Sequence, residues 1–251
     1  MLLSGRHAVV SGGGRGIGRA IAAALKRQGA RVSILGRDEA ALAATCEAGD
    51  ADAHAICDIR DEEAAAAAVA QFATSQPVDI AIANAGAVET GPFLRSPAER
   101  FRRLNEINLI GTVNLFHAAL PGMIERSSGR LIAIASTAGH RGYPYVSAYV
   151  AAKHAVVGLV KSLALETARL GVTVNAVCPG YADTDMVATG LDTIVAKTGA
   201  TREQALAEMV RANPQGRLIE PQEVAASVLY LCGPASGSVT GQSLLINGGE
   251  F

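Results

Sequence analysis

Residues 6–29, R-H-A-V-V-S-G-G-G-R-G-I-G-R-A-I-A-A-A-L-K-R-Q-G, decide the architecture. The apolar run from Arg6 to Val10 predicts a strand, and Ser11 to Gly18 (S-G-G-G-R-G-I-G) predicts a turn. Ile21, Ala24 and Leu25 then mark the apolar face of a helix that ends at Gly29. Gly12, Gly16 and Gly18 are spaced G-x-x-x-G-x-G. Glycines so placed let the backbone turn tightly and approach an anion held at the helix N-terminus, where unpaired N–H groups and the dipole favour negative charge. The spacing differs from the familiar G-x-G-x-x-G, and a glycine turn alone is weak evidence. The strand before it and the helix after it supply the context that a pyrophosphate cradle needs, with Arg15 and Ile17 inside the same loop.

Working outward, residues 31–35 (R-V-S-I-L) form the next strand, followed by Gly36, Arg37 and Asp38. An acidic residue about 20 positions past the glycines binds the ribose hydroxyl of NAD, whereas arginine accommodates the 2′-phosphate of NADP. Gly36 offers no carboxylate, and Arg37 and Arg15 can clamp one phosphate, so NADP(H) is favoured with NAD(H) as the alternative. Read without a ligand, the two arginines are surface charges and Asp38 is the N-cap of a helix over 38–49. A strand over 51–57 leads to Asp58, which is either an acceptor for an adenine amino group or a helix N-cap. A helix over 61–75 and a strand over 78–83 follow, leading into Asn84-Ala85-Gly86. Alternation of this kind requires a doubly wound parallel sheet with helices on both faces.

Ser96-Pro97-Ala98-Glu99 predicts a helix start with a capping box and a proline at the first helical position. The long helical region that follows carries Asn108 within an otherwise apolar face. A strand over 130–135 ends at Ser136, where a hydroxyl would face the ligand crevice. Tyr149 and Lys153 then lie one helical turn apart, on one face of the next helix. A phenol near an ammonium is a tunable proton donor, but Y-x-x-x-K alone is a common surface pair. A strand over 171–177 ends in Cys178-Pro179-Gly180. The polar segment 182–213, with a T-x-x-Q helix start at Thr201, is either a lid over the crevice or a surface insertion. A helix over 221–231 and a strand over 243–249 bring the count to about seven strands.

A chain of 251 residues, 49% apolar, is expected to form one domain around one large sheet. With 22 Lys and Arg against 23 Asp and Glu, and no basic block, nucleic acid is not an expected partner. No apolar run reaching about 18 residues and no signal-type start are read, so a cytoplasmic protein without a membrane span is expected. Cys46, Cys57, Cys178 and Cys232 are scattered, which predicts neither a disulfide nor a metal site.

Taken together, S-G-G-G-R-G-I-G, A-N-A-G at 83–86, N-L-I-G at Asn108, I-A-S-T-A-G, Y-V-A-A-K, V-N-A-V-C-P-G and G-Q-S-L-L-I-N-G-G resemble the short-chain dehydrogenase/reductase family over essentially the whole chain. Ala83 and Asn247 depart from the usual N-N-A-G and D-G-G. The resemblance implies a Rossmann-type domain and an oxidoreductase that interconverts a carbonyl and a secondary alcohol. It places Ser136 on the substrate oxygen and makes Tyr149 the acid/base. Lys153 would lower the tyrosine pKa and bind the nicotinamide ribose, and Asn108 would hold a relay water. Asn84, Gly86, Pro179, Gly180 and Thr184 would line the cofactor groove. The motifs are particularly similar to reductases of 3-oxoacyl thioesters and polyketides and to 3-hydroxybutyrate-type dehydrogenases, so a β-keto substrate is the first choice, with an NAD-dependent alcohol or 3-hydroxyacid dehydrogenase as the alternative. His140 and Arg141 could meet a carboxylate or thioester tail. A homotetramer is implied, with the final strand and residues 247–251 at one interface and the two long helices at another. A catalytically silent dinucleotide sensor is the non-enzyme alternative, and the presence of Ser136, Tyr149 and Lys153 argues against it.

Overall fold

The computed structural model describes residues 1–251. Its sheet takes seven strands from the whole chain: β1 (His7–Ser11), β2 (Arg31–Gly36), β3 (Ala53–Ile56), β4 (Ile80–Ala83), β5 (Gly129–Ile134), β6 (Val172–Pro179) and β7 (Ser243–Ile246). All pairings are parallel, in the order β3-β2-β1-β4-β5-β6-β7. Every residue of β1, β4 and β6 is buried, as an apolar strand covered on both faces requires. Neighbouring residues alternate between two cores: Val9 and Leu35 pack with Phe116 and Val174 on one face, Val10 and Ile34 with Ile21 and Val228 on the other. The strand order reverses between β1 and β4, which opens a crevice at the carboxyl ends of those two strands.

Nine α-helices cover the sheet: α1 (Gly16–Arg27), α2 (Glu39–Glu47), α3 (Glu62–Ala73), α4 (Ala98–Asn105), α5 (Gly111–Glu125), α6 (Ser147–Thr167), α7 (Asp185–Thr198), α8 (Arg202–Val210) and α9 (Pro221–Cys232). Thr201 caps α8 in a reciprocal capping box with Gln204, as its sequence predicts. Asp38 caps α2 through Ala41 N at 3.0 Å. Three local expectations are corrected. The cap of α3 is Asp61, which accepts from Ala64 N at 3.0 Å, so Asp58 is not a helix cap. At Ser96 no capping box forms. Its hydroxyl donates to Pro92 O at 2.9 Å, because a 3₁₀ turn (Phe93–Arg95) brings that carbonyl within reach, and Pro97 stands at the N-cap position.

The third correction concerns length and hydropathy. Ala98–Glu125 and Ser147–Leu170 are two helical stretches, 28 and 24 residues long, each holding an 18-residue window with a mean hydropathy of 1.3, long and apolar enough to cross a membrane. Both lie along the sheet and bury polar groups such as Asn108 and Lys153 against it. Their apolar character serves the core on one side, and Leu165 and Ile124 remain exposed on the other.

Candidate active site

The glycine loop joins β1 to α1 at the mouth of the crevice. Gly12 and Gly16 have φ of +66° and +50°, a region in which L side chains are strained. A Cβ at Gly18 would lie 2.1 Å from Gly12 O and 2.5 Å from Asn84 Nδ2, so the loop closes on the helix only without a side chain there. Across the crevice Asn84 Nδ2 donates to Ser11 O at 3.0 Å and Gly12 O at 3.1 Å, while Ser11 Oγ accepts from Asn84 N and Ala85 N at 3.0 and 3.1 Å. Asn84 thus ties the tips of β1 and β4 together. No side chain caps the N-terminus of α1 and no acid occupies its first turn, which leaves its first N–H groups aimed outward. A loop of this shape, with unpaired donors at its floor, fits the pyrophosphate of a dinucleotide.

At the end of β2 the structure pairs one of the two arginines of the expected clamp with Asp38. Arg15 Nη2 lies 2.5 Å from Asp38 Oδ2, so that guanidinium is paired with the carboxylate that also caps α2. Arg37, exposed at the end of β2, makes no ion pair and is the cation left to meet a 2′-phosphate. The same pairing neutralises Asp38. Asp58 is gripped by Arg60, whose Nε lies 2.9 and 3.0 Å from its two oxygens, and this bond holds the carboxyl below the usual carboxylate range.

Ser136 follows β5 with an extended backbone and accepts from Ala138 N at 3.1 Å. Tyr149 and Lys153 project from α6, with Ser136 beside the Tyr149 phenol. Burial pushes that phenol up to about 12, with the Ser136 side chain opposing the shift. The net shift of the phenol is upward, opposite in direction to the lowering expected from Lys153. The Lys153 ammonium donates to Ile134 O at 2.8 Å and stands 5.7 Å from the centre of the tyrosine ring, and desolvation of the phenol dominates. Burial also brings Lys153 down to about 8.

Asn108 lies in a π-helical turn (Glu106–Ile110) between α4 and α5, a local widening that recurs at functional sites. Its Nδ2 donates to Ala87 O at 3.0 Å and Leu104 O at 2.9 Å, so both amide hydrogens serve the protein and neither is left to donate to a relay water. A Cβ at Gly86 would lie 2.7 Å from Asn108 Oδ1 and 3.6 Å from Lys153 Nζ. The β4 tip, the π turn and α6 therefore meet at that glycine. Thr184 caps α7, and its Cγ2 would touch a Cβ at Gly16 at 3.2 Å, which sets the 182–213 segment against the glycine loop. Pro179 ends β6 and Gly180 follows beside β7, its N–H bonded to Ile246 O at 3.0 Å.

Sequence reasoning missed Ser11, whose partners lie 73 and 74 residues away, and Glu250, which folds back between the tips of β5 and β6. Neither carries a local signal.

An open parallel sheet with a glycine cradle at its switch point and a Ser–Tyr–Lys cluster at the next strand tip defines a nicotinamide-dependent oxidoreductase. Residues 12–250 match a family model described as enoyl-(acyl carrier protein) reductase. The acetoacetyl-CoA reductase of Shinella zoogloeoides is 37% identical, the alignment covering 98% of each chain. The D-beta-hydroxybutyrate dehydrogenase of Cupriavidus necator is 36% identical over 99% of this chain and 98% of its own. A crystal structure of an actinorhodin polyketide ketoreductase variant with NADPH superposes with a TM-score of 0.93 at 38% identity, covering 98% of this chain and 97% of that one. The chain belongs to the short-chain dehydrogenase/reductase family, whose members act as oxidoreductases on CH–OH and C=O groups with NAD(P).

Proposed function

We propose that the protein reduces the ketone of a β-keto acyl compound to a secondary alcohol with NADPH. The observation that carries this reading is the placement of Ser136, after the β5 tip, beside the buried Tyr149 phenol and near a glycine cradle fitted to a dinucleotide. When bound, the reduced nicotinamide supplies a hydride. Ser136 orients the carbonyl oxygen, and Tyr149, which burial keeps protonated, gives that oxygen its proton. Lys153 holds a cation beneath the site, and the Asn108 side chain fixes the loop that follows β4. The segment 182–213 closes over the substrate as a lid on a single catalytic domain. The ketoreductase and acetoacetyl-CoA reductase relatives support the β-keto class.

The test is a panel of β-keto thioesters, simple ketones and an enoyl thioester, assayed with NADPH and NADH. Reduction of the ketones and not of the enoyl compound is expected, with kcat/KM higher for NADPH. In Arg37→Ala the NADPH advantage falls by about 10- to 100-fold, the worth of one charge-assisted contact. An advantage unchanged by the substitution would remove Arg37 from phosphate recognition.

Lys153 also sets a pH limb. The ammonium is present below a pKa of about 8 and lost above it. Therefore kcat/KM for reduction is level through neutral pH and falls as pH rises through about 8, and Lys153→Met, slower throughout, lacks that limb. A wild-type profile flat to pH 9.5 would contradict this role.

A homotetramer accompanies this reading. Leu165 on α6 is 83% exposed and Ile124 on α5 is 36% exposed, an apolar surface on the two long helices suited to isologous burial. The segment at 247–251 is only partly available to a second interface, because the Glu250 side chain is 4% exposed within its own chain. Light scattering at micromolar concentration is expected to give about four times the 25.7 kDa chain mass. A monomer would refute it.

A further inference from the structure

The wall formed by the loops after β5 and β6 is built around a buried carboxylate. The Glu250 side chain is 4% exposed, and its Oε1 accepts from the Tyr143 hydroxyl at 2.7 Å. Arg141 Nη1 approaches the same oxygen at 3.5 Å, and its guanidinium carbon sits 5.4 Å from the Tyr143 ring centre and 5.2 Å from that of Phe251. The Tyr143 hydroxyl lies 2.9 Å from Thr137 Oγ1, one residue past Ser136. Its ring meets Tyr181 edge-on, with centroids 6.3 Å apart. Glu250 Oε2 also borders Gly180, where a Cβ would stand 3.7 Å from it. The carboxylate therefore bridges the loops after β5 and β6, which flank Ser136 and Tyr149.

The two basic side chains nearest Ser136 in sequence are both engaged. Arg141 is paired with Glu250 and stacked between two rings. His140 turns its Nε2 to Cys178 Sγ at 3.5 Å, and burial lowers its pKa, so it is neutral at physiological pH. A substrate carrying a free carboxylate beside its ketone would find no unpaired cation on this wall. We infer that Glu250, by pairing with Arg141, makes the site selective for neutral β-keto esters and thioesters over free β-keto acids. Glu250 is a specificity-determining residue, remote from the reacting atoms. This inference rests on the proposed ketone reduction and refines its substrate class.

The experiment compares acetoacetate with methyl acetoacetate, which differ chiefly in one charge, in wild type, Glu250→Gln and the double variant Glu250→Gln/Arg141→Met. Wild type is expected to favour the ester by about tenfold or more in kcat/KM, the effect of one missing charge-assisted contact. Glu250→Gln releases Arg141 and shifts that ratio toward the acid by about tenfold or more, and the double variant loses the shift. A general loosening of the wall would change both substrates together and leave the ratio in place, which would overturn the inference. So would a wild type that reduces the two equally well, a result that needs no variant to fold. If wild type reduces neither the methyl ester nor any other ketone of the panel, the proposed reaction itself fails. If it reduces the ester and the acid alike, only the selectivity fails.

Discussion

Replacing Tyr149 with phenylalanine is expected to lower kcat for ketone reduction by about 10²- to 10⁴-fold while changing the Kd for NADPH by less than about twofold. The substitution deletes one oxygen. The ring still packs on α6, and Ser136 keeps its bond from Ala138 N at 3.1 Å. What is lost is the phenol hydroxyl beside Ser136, which burial keeps protonated up to about 12. Single-turnover oxidation of NADPH with saturating substrate measures the chemical step, and cofactor fluorescence measures binding. Near-wild-type single-turnover rates would transfer the proton-donor role to Ser136 or to solvent.

Gly18→Ala should have an effect of similar size on a different quantity. The new Cβ would lie 2.1 Å from Gly12 O and 2.5 Å from Asn84 Nδ2, well inside contact distance, and neither neighbour is the free end of a flexible chain. Relief requires α1 to move off the loop or Asn84 to release Ser11 O and Gly12 O, and either change opens the cradle. Overpacking of this kind costs about 1–3 kcal/mol, which in a chain of this size lowers Tm by several degrees. Affinity for NADPH should fall at least about 100-fold, because the aligned N–H groups at the helix start no longer converge. Calorimetry with and without cofactor reads both effects. A variant that kept the wild-type Kd would show that the cradle does not depend on this close approach.

Much of the site was legible in the chain because its signals are local. The glycine loop, the strand end at Ser136 and the single turn between Tyr149 and Lys153 each depend on neighbours within a few residues, where periodicity and turn chemistry govern geometry. The same holds for Asp38 and Thr201, whose capping bonds reach three residues along the chain. Ser96 departs from its local expectation because its hydroxyl donates to Pro92 O, four residues back, and its oxygen accepts from Arg100 Nη1 at 2.8 Å instead of from the helix backbone.

The sequence by itself determined the order of elements, the parallel sheet and the residue types at its switch point, since buried strands alternating with amphipathic helices admit few arrangements. Only the tertiary structure decided what each charged or polar side chain faces. Arg15 turns to Asp38 across 23 residues, the Asn108 amide is taken by Ala87 and Leu104, and Glu250 reaches Tyr143 across 107. The structure also decided the protonation of the pair at the centre, because Tyr149 at about 12 and Lys153 at about 8 are shifted chiefly by desolvation. Desolvation depends on everything packed around a group, and no spacing along the chain encodes it.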